Sequence, residues 1–290
     1  MPATEIFEFV PVDFWGPIIE AARCTFLRGP GDTGGDIPIA PWDDEATLKI
    51  SKFLREELPG FQMAYTRDHS TDKDENELVQ LAQNENCIVI GSPKSNLACE
   101  ILVSRLFGAK PFDSSQENRK KIPFGFCWPE DTRRADEDIV LRSSLTCSAA
   151  AREEIKGGYG IALKNLHIPV HYLPAEEYKK WHTKSGQDCG LVLVANSPFG
   201  STNRVKLIVL AGFSGVGTVA AAEALIRSFR ALEPLPGECC VFGVVEAKYS
   251  KASGSENRNY REFFWRYRSG GMLPGLWPAK GKKRSEADAD

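Results

Sequence analysis

The chain of 290 residues has 42% hydrophobic and 26% charged residues and a formal charge of −3, ordinary values for a globular protein able to bury a sizeable core. A strongly basic protein is excluded, although a local basic patch is not. No apolar run approaches the roughly 18 residues that span a bilayer, and the acidic start Met-Pro-Ala-Thr-Glu-Ile-Phe-Glu is unlike a signal peptide. The expectation is therefore a cytoplasmic protein without a membrane partner.

Residues 1–42 have no clear period and contain Gly29-Pro-Gly-Asp-Thr-Gly-Gly35, which predicts an irregular N-terminal arm with Phe14 and Trp15 as anchors. From Asp43 an acidic first turn and the stripe Leu48, Phe53, Leu54 predict a helix that ends at Pro59-Gly60. Phe61-Gln-Met-Ala-Tyr-Thr66 alternates as a strand, and the acidic stretch 72–83 reads as a second helix.

Cys87-Ile-Val-Ile-Gly91-Ser92-Pro93-Lys94-Ser95-Asn96 then joins a buried strand to a helix over 97–106. Ser95 or Asn96 can cap that helix, and Ser92, Lys94 and Ser95 can reach a polar ligand. A capped turn with no guest is the alternative. The stretch 110–138 reads as an excursion with short strands, and the inserted region as a whole covers about 110–160. Within or after it, 139–141 continues the excursion, 149–155 suits a short helix, 157–163 a turn into a strand and 176–181 a helix. Cys189-Gly-Leu-Val-Leu-Val-Ala195 is a strong strand, and 196–203 is short enough for a hairpin, so the sheet can be mixed.

The organising stretch is Lys206-Leu-Ile-Val-Leu-Ala-Gly212-Phe-Ser-Gly215-Val-Gly217-Thr218. Its apolar run suits a strand buried on both faces, and after the glycines Val219, Ala222, Ile226 and Phe229 mark one face of a helix. Such a loop points backbone N–H groups and the positive end of a helix at an anionic guest, which favours a phosphate. Glycines also join strands to helices where close packing leaves no room for a Cβ. Beyond it, Cys239-Cys-Val-Phe-Gly-Val-Val-Glu-Ala-Lys-Tyr249 is a strand. The segment 251–284 carries nine basic and two acidic residues, a net +7, interleaved with aromatics. It suits an amphipathic cover over a sheet edge with a solvated basic face. Weak single-stranded nucleic-acid binding is the other use for such a segment, and 280–290 reads as a tail.

Eight cysteines (Cys24, Cys87, Cys99, Cys127, Cys147, Cys189, Cys239, Cys240) lack a C-x-x-C pair and several lie in apolar runs, which predicts buried free thiols. His167 and His171 are separated by Pro169, which breaks the helix that would align them, so no metal site is expected.

Taken together, Gly91-Ser92-Pro93-Lys94-Ser95-Asn96 and Ala211-Gly212-Phe213-Ser214-Gly215-Val216-Gly217-Thr218 resemble a Rossmann-like family of bacterial and archaeal proteins, including domains of S-layer-like proteins. Its strands end in G-G-P-x-x-N and A-G-x-x-G-x-G-T. Asp188-Cys-Gly-Leu-Val-Leu-Val-Ala-Asn-Ser-Pro-Phe199 is similar to the family's strand before the second loop, and Ser92 stands where the family has its second glycine. The resemblance covers about 85–250 and implies a fold but no activity. The second loop also resembles that of nucleotide-binding lysine-decarboxylase-like proteins, with Glu223 displaced by two residues. Ser92-Pro93, Ser95, Cys99 and Glu100 resemble a TIR-domain motif whose nearby glutamate is catalytic in TIR NADases. The competing reading of Glu100 is a solvated helix residue.

The expected architecture is an α/β, Rossmann-like three-layer sandwich over 43–250 with a mainly parallel, possibly mixed sheet, an N-terminal arm over 1–42 and a basic aromatic segment over 251–290. The expected function is binding of a phosphate-bearing, nucleotide-like small molecule between the two loops. Gly212, Gly215 and Gly217 supply N–H groups, Thr218 a hydroxyl, Ser92, Ser95 and Asn96 opposing polar contacts, and Lys94 a positive charge. A hydrolase or transferase version would use Glu100 or Glu223 as its carboxylate. A non-catalytic interaction or scaffold module is the alternative; it requires the glycines to be covered by neighbouring side chains.

Overall fold

The computed structural model describes residues 14–21, 23–29, 41–57, 65–68, 75–128, 143–147, 160–163, 166–169, 186–234, 238, 240–251 and 258–269. In chain order the elements are α1 (Gly16–Ala21), β1 (Thr25–Arg28), α2 (Pro41–Glu57), β2 (Tyr65–Asp68), α3 (Glu75–Asn84), β3 (Cys87–Ile90), α4 (Leu97–Leu106) and α5 (Gln116–Arg119). They continue as β4 (Phe124–Cys127), β5 (Gly160–Leu163), β6 (Leu166–Pro169), β7 (Gly186–Asn196), β8 (Lys206–Gly212), α6 (Gly215–Ser228), β9 (Cys240–Lys251) and β10 (Arg258–Arg268).

Seven strands form one sheet in the order β10-β9-β7-β8-β3-β1-β2. The β8/β3, β3/β1 and β1/β2 pairs are parallel, and the β10/β9, β9/β7 and β7/β8 pairs are antiparallel. β3 and β8 lie side by side with Cys87 opposite Leu207, so both loops that follow them leave from the same edge. The short connection after β7 makes the antiparallel pair that its length allows.

Alternation along the strands divides the core in two. Ile88, Ile90, Val192, Val194, Ile208 and Leu210 pack with α1, α2 and α6 on one face of the sheet. Cys87, Val89, Leu191, Leu193, Leu207 and Val209 pack with α3, α4 and the small strands on the other. Strands covered on both sides need near-continuous apolar runs, which is what these segments are. Consecutive alanines at 220–222 let α6 lie close to the sheet. The protein is thus an α/β fold with helices on both faces of a mixed sheet.

Several local expectations change. The segment 1–42 is not irregular throughout: it contains α1 and β1, and β1 lies between β2 and β3 inside the sheet. The four-residue β1 run is too short to declare itself before the glycines that follow. Phe14 and Trp15 are buried as anchors, and the Phe14 ring lies 4.4 Å from the ammonium of Lys206. The segment at 258–268 does not lie over the sheet edge but forms that edge as β10. There Arg266 is bound to the buried Glu246 carboxylate, and Trp265 Nε1 donates to Ser228 Oγ at 3.2 Å. The features expected at 139–141, 149–155, 176–181 and 280–290, and His171, lie outside the described residues. Among the described residues no helix is long and apolar enough to cross a membrane.

β4 of the inserted region and β5 and β6, which follow its expected end, form a three-stranded antiparallel sheet, and Phe124, Phe126 and Ile161 join the core beside α4. Glu100 ties this region down. It is not a solvated helix residue but fully buried, with Oε1 accepting from the N–H groups of Ser144 (2.8 Å) and Phe112 (3.0 Å) and Oε2 from Ser143 Oγ (2.6 Å). A helix that is apolar on every side buries whatever polar residue it carries, and that residue then needs partners. The cysteines also depart from expectation. Cys127 and Cys147 form a disulfide, while Cys24, Cys87, Cys99 and Cys189 are buried free thiols. No spacing signal marked the pair, because it is the bridge between Phe126 and Thr146 that brings the two segments together.

Glu100→Ala should take the acceptor from four donors, Ser104 Oγ, Phe112 N, Ser143 Oγ and Ser144 N. The expected loss is about 3–5 kcal/mol in urea denaturation, together with faster proteolysis between residues 110 and 147.

Candidate functional site

The first loop begins where β3 ends. Gly91 adopts φ +110°, a conformation that favours glycine, and its N–H donates to the Leu210 carbonyl of β8 at 2.9 Å. The chain then turns on the Ser92 carbonyl, which accepts from Ser95 N (2.9 Å) and Asn96 N (2.8 Å). Asn96 caps α4 by accepting from Ala98 N at 3.0 Å, and its amide donates to the carbonyls of Leu27 (3.0 Å) and Ile90 (2.9 Å). One buried side chain therefore fastens β1, β3 and α4 together. Ser92 is buried, Lys94 is half-buried and Ser95 is exposed.

The second loop is organised by a residue of β7. Asp188 is fully buried at the start of α6, where its carboxylate accepts from Cys189 N (2.7 Å), Gly217 N (3.0 Å), Ser214 N (3.3 Å) and the Ser214 hydroxyl. The anion favoured at this helix terminus is thus supplied by the chain itself. The glycines are covered as well. A Cβ on Gly217 would collide with the Cys189 carbonyl, one on Gly212 with Ser214 O and Thr218 N, and one on Gly215 would lie 2.5 Å from Trp42 Cβ. The expectation that N–H groups of Gly215 and Gly217 face a guest changes accordingly. Gly217 donates to Asp188, and Gly215 lies under the Trp42 side chain. Thr218 Oγ1 accepts from Gly212 N at 3.1 Å and is buried.

Asp43, in the first turn of α2, brings the loops together. A Cβ on Gly91 would stand 3.0 Å from both Asp43 Oδ2 and Ser95 Oγ, and the Asp43 carboxyl is hydrogen-bonded to the Thr218 side chain. It is 4% exposed. Burial pushes its pKa up from 3.8 to about 6; Asp44 adds to the rise, while the Thr218 hydrogen bond and Arg28 oppose it. Burial likewise raises the neighbouring Cys99 thiol well above its ordinary value, helped by Glu100 and Asp43. A carboxyl poised near neutrality at the carboxyl end of parallel strands can donate or accept a proton.

Ser92, Lys94, Ser95 and Asn96 lie on the first loop, and Gly212, Gly215, Gly217 and Thr218 on the second, at one edge of the sheet. Neither expected carboxylate is free. Glu100 holds the inserted region, and Glu223 pairs with Lys49 of α2 (2.6 Å) and Arg227 (3.4 Å). Asp43, Asp188 and Trp42 were missed. An acidic first turn and a residue preceding an apolar run carry no sign that other elements will bury them. Among the described residues no group of three or more His, Cys, Asp or Glu is arranged to hold a metal.

Two measurements check this geometry. Gly217→Ala forces α6 off the Cys189 backbone and Gly215→Ala forces α2 away at Trp42 Cβ, so each should cost about 1–3 kcal/mol by chemical denaturation. For Asp43, the folded protein holds a proton between about pH 4 and pH 6 that the unfolded chain has released. The contribution to stability is therefore complete below pH 4 and lost as pH rises through 6, on the order of 3 kcal/mol in all. The stability of the wild type relative to Asp43→Asn should fall across that window and level off above it.

No protein-family model, curated protein or solved structure matches the chain.

Proposed function

We propose that the chain binds a phosphate-bearing, nucleotide-like small molecule at the carboxyl ends of β3 and β8. The observation that carries this function is Asp43, a buried carboxyl with its pKa raised to about 6, set between Gly91 of one loop and Thr218 of the other. Keeping an acid there costs stability at neutral pH, and such groups concentrate at sites of chemistry. Asp43 accepts hydrogen bonds from ligand hydroxyls, the role acidic residues play toward ribose at this edge of doubly wound sheets. Lys94 and Ser95 meet the phosphate from the solvent side of the first loop. The N–H groups at the start of α6 take little part, because Asp188 occupies them.

In this proposal the fold is a Rossmann-like three-layer sandwich, related to the bacterial and archaeal family whose loop motifs it resembles, and the protein acts in the cytoplasm. A catalytic version is hydrolysis or transfer at a nucleotide or glycosidic bond, with Asp43 exchanging the proton in place of Glu100 or Glu223. A second reading, a non-catalytic interaction module, is favoured by one observation: Gly212, Gly215 and Gly217 are all covered by neighbouring atoms of the chain.

The test is mass spectrometry of small molecules released from the native protein, followed by thermal denaturation against a panel of nucleotides and NAD-like compounds. A true ligand at about one hundred times its Kd adds roughly 2.7 kcal/mol and a visible rise in Tm. Asp43→Asn and Lys94→Ala should each fold and lose that rise. A wild type that responds to no compound would replace the binding function with the interaction module.

A further inference from the structure

The bond between Cys127 and Cys147 lies one residue from a contact with the second loop. Trp128, buried beside Cys127, stacks on Phe126 with ring centroids 5.0 Å apart and on Phe213 at 6.0 Å. Its Nε1 donates to the Phe213 carbonyl at 3.2 Å, and the Phe213 N–H donates to the Cys189 carbonyl at 2.9 Å. Phe213 thus spans from β7 to Trp128, and it adds these two attachments to those that Asp188 makes with Ser214 and Gly217 farther along the same loop. Without the disulfide, the backbone attachments between the two cysteine segments are the bonds from Cys147 N to Phe126 O (2.9 Å) and from Phe126 N to Leu145 O (2.7 Å).

We propose that the Cys127–Cys147 bond is a redox control on the glycine-rich loop: oxidised, it clamps Trp128 against Phe213, and reduction by a dithiol releases that clamp. Both cysteines are buried, Cys127 fully and Cys147 at 8% exposure, so the attack is assigned to Cys147 as the less covered residue. Gly125 places no side chain on this sulfur; a Cβ there would stand 3.1 Å from Cys147 Sγ. The reductant's thiolate bonds to Cys147 Sγ as the S–S bond breaks, and the electron pair leaves on Cys127, which takes up a proton. The reductant's second thiol then displaces Cys147 as a protonated thiol, and the reductant becomes a cyclic disulfide. Two electrons and two protons pass to the protein. A cross-link over a sequence separation of 20 disfavours opening of the segment it closes by a factor of roughly one hundred, which is the upper bound on what Trp128 can pass to Phe213.

Hydrogen–deuterium exchange of the full chain, oxidised and after dithiothreitol, tests the proposal. Amides at 212–217 should exchange faster after reduction, by up to about 100-fold, while those at 87–90 and 207–210 keep their rates. Oxidised Trp128→Phe, which keeps a stacked ring and loses the bond to Phe213, should exchange at 212–217 faster than oxidised wild type. Equal rates at 212–217 in the two redox states would overturn the proposal. So would an equal rise over the whole sheet, which would make the bond a staple of the fold, or alkylation of both cysteines in protein never exposed to reductant.

Discussion

The carboxylate of Asp188 is the constraint on which the centre of the molecule depends. Burying a carboxylate is costly unless hydrogen bonds replace its lost water, and here Cys189 N, Ser214 N, Ser214 Oγ and Gly217 N do so. All these donors belong to β7 or to the entry of α6, so the carboxylate fixes that helix on that strand. Gly190 and Gly217 make the same contact possible from the packing side, since a side chain on either would strike backbone. β8, which lies beside β7 and leads into α6, is the strand at which the sheet changes from parallel to antiparallel pairing. One buried charge thereby joins the two halves of the fold.

This arrangement alters what a glycine-rich strand–loop–helix unit means. A helix N-terminus attracts an anion whether the anion comes from solvent or from the chain. The start of α6 has its own in Asp188, and the start of α4 is capped by Asn96, whose amide is also bonded to two carbonyls. Both units are therefore satisfied internally. At this edge Asp43 has its carboxyl raised to about 6, and Ser95 of the first loop is exposed.

Much of the architecture was legible because strong local signals agreed with the packing. Short β-branched runs at 87–90 and 207–210 became the adjacent parallel strands, and the three- and four-residue spacing after Thr218 became the buried face of α6. β1 was not legible, since Thr25-Phe26-Leu27-Arg28 is a strand only because β2 and β3 pair on either side. Glu100 was legible in principle: Ala98, Cys99, Ile101, Leu102 and Val103 leave α4 no polar face on which to carry it. The candidate site was the hardest part. Its two loops could be read, but Asp43 lies in an acidic helical turn that resembles any solvated helix start, and only the packing of α2 buries it.

The position of Asp43 follows from a chain of supports that begins at the sheet. β7 fixes α6 through Asp188 and the paired glycines, and α6 in turn fixes α2. Glu223 accepts from Lys49 at 2.6 Å, one of the polar contacts by which α2 lies against α6, while Ala46, Ile50 and Leu54 fill the apolar side of the same contact. With the axis of α2 so constrained, its first turn must come down over the two loops, which puts Trp42 on Gly215 and Asp43 beside Gly91 and Thr218. Glu223 is therefore a positioning residue for the acid, although it stands apart from the site. The raised pKa of Asp43 is a consequence of helix packing, since the elements that bury it are held by contacts in which the carboxyl takes no part.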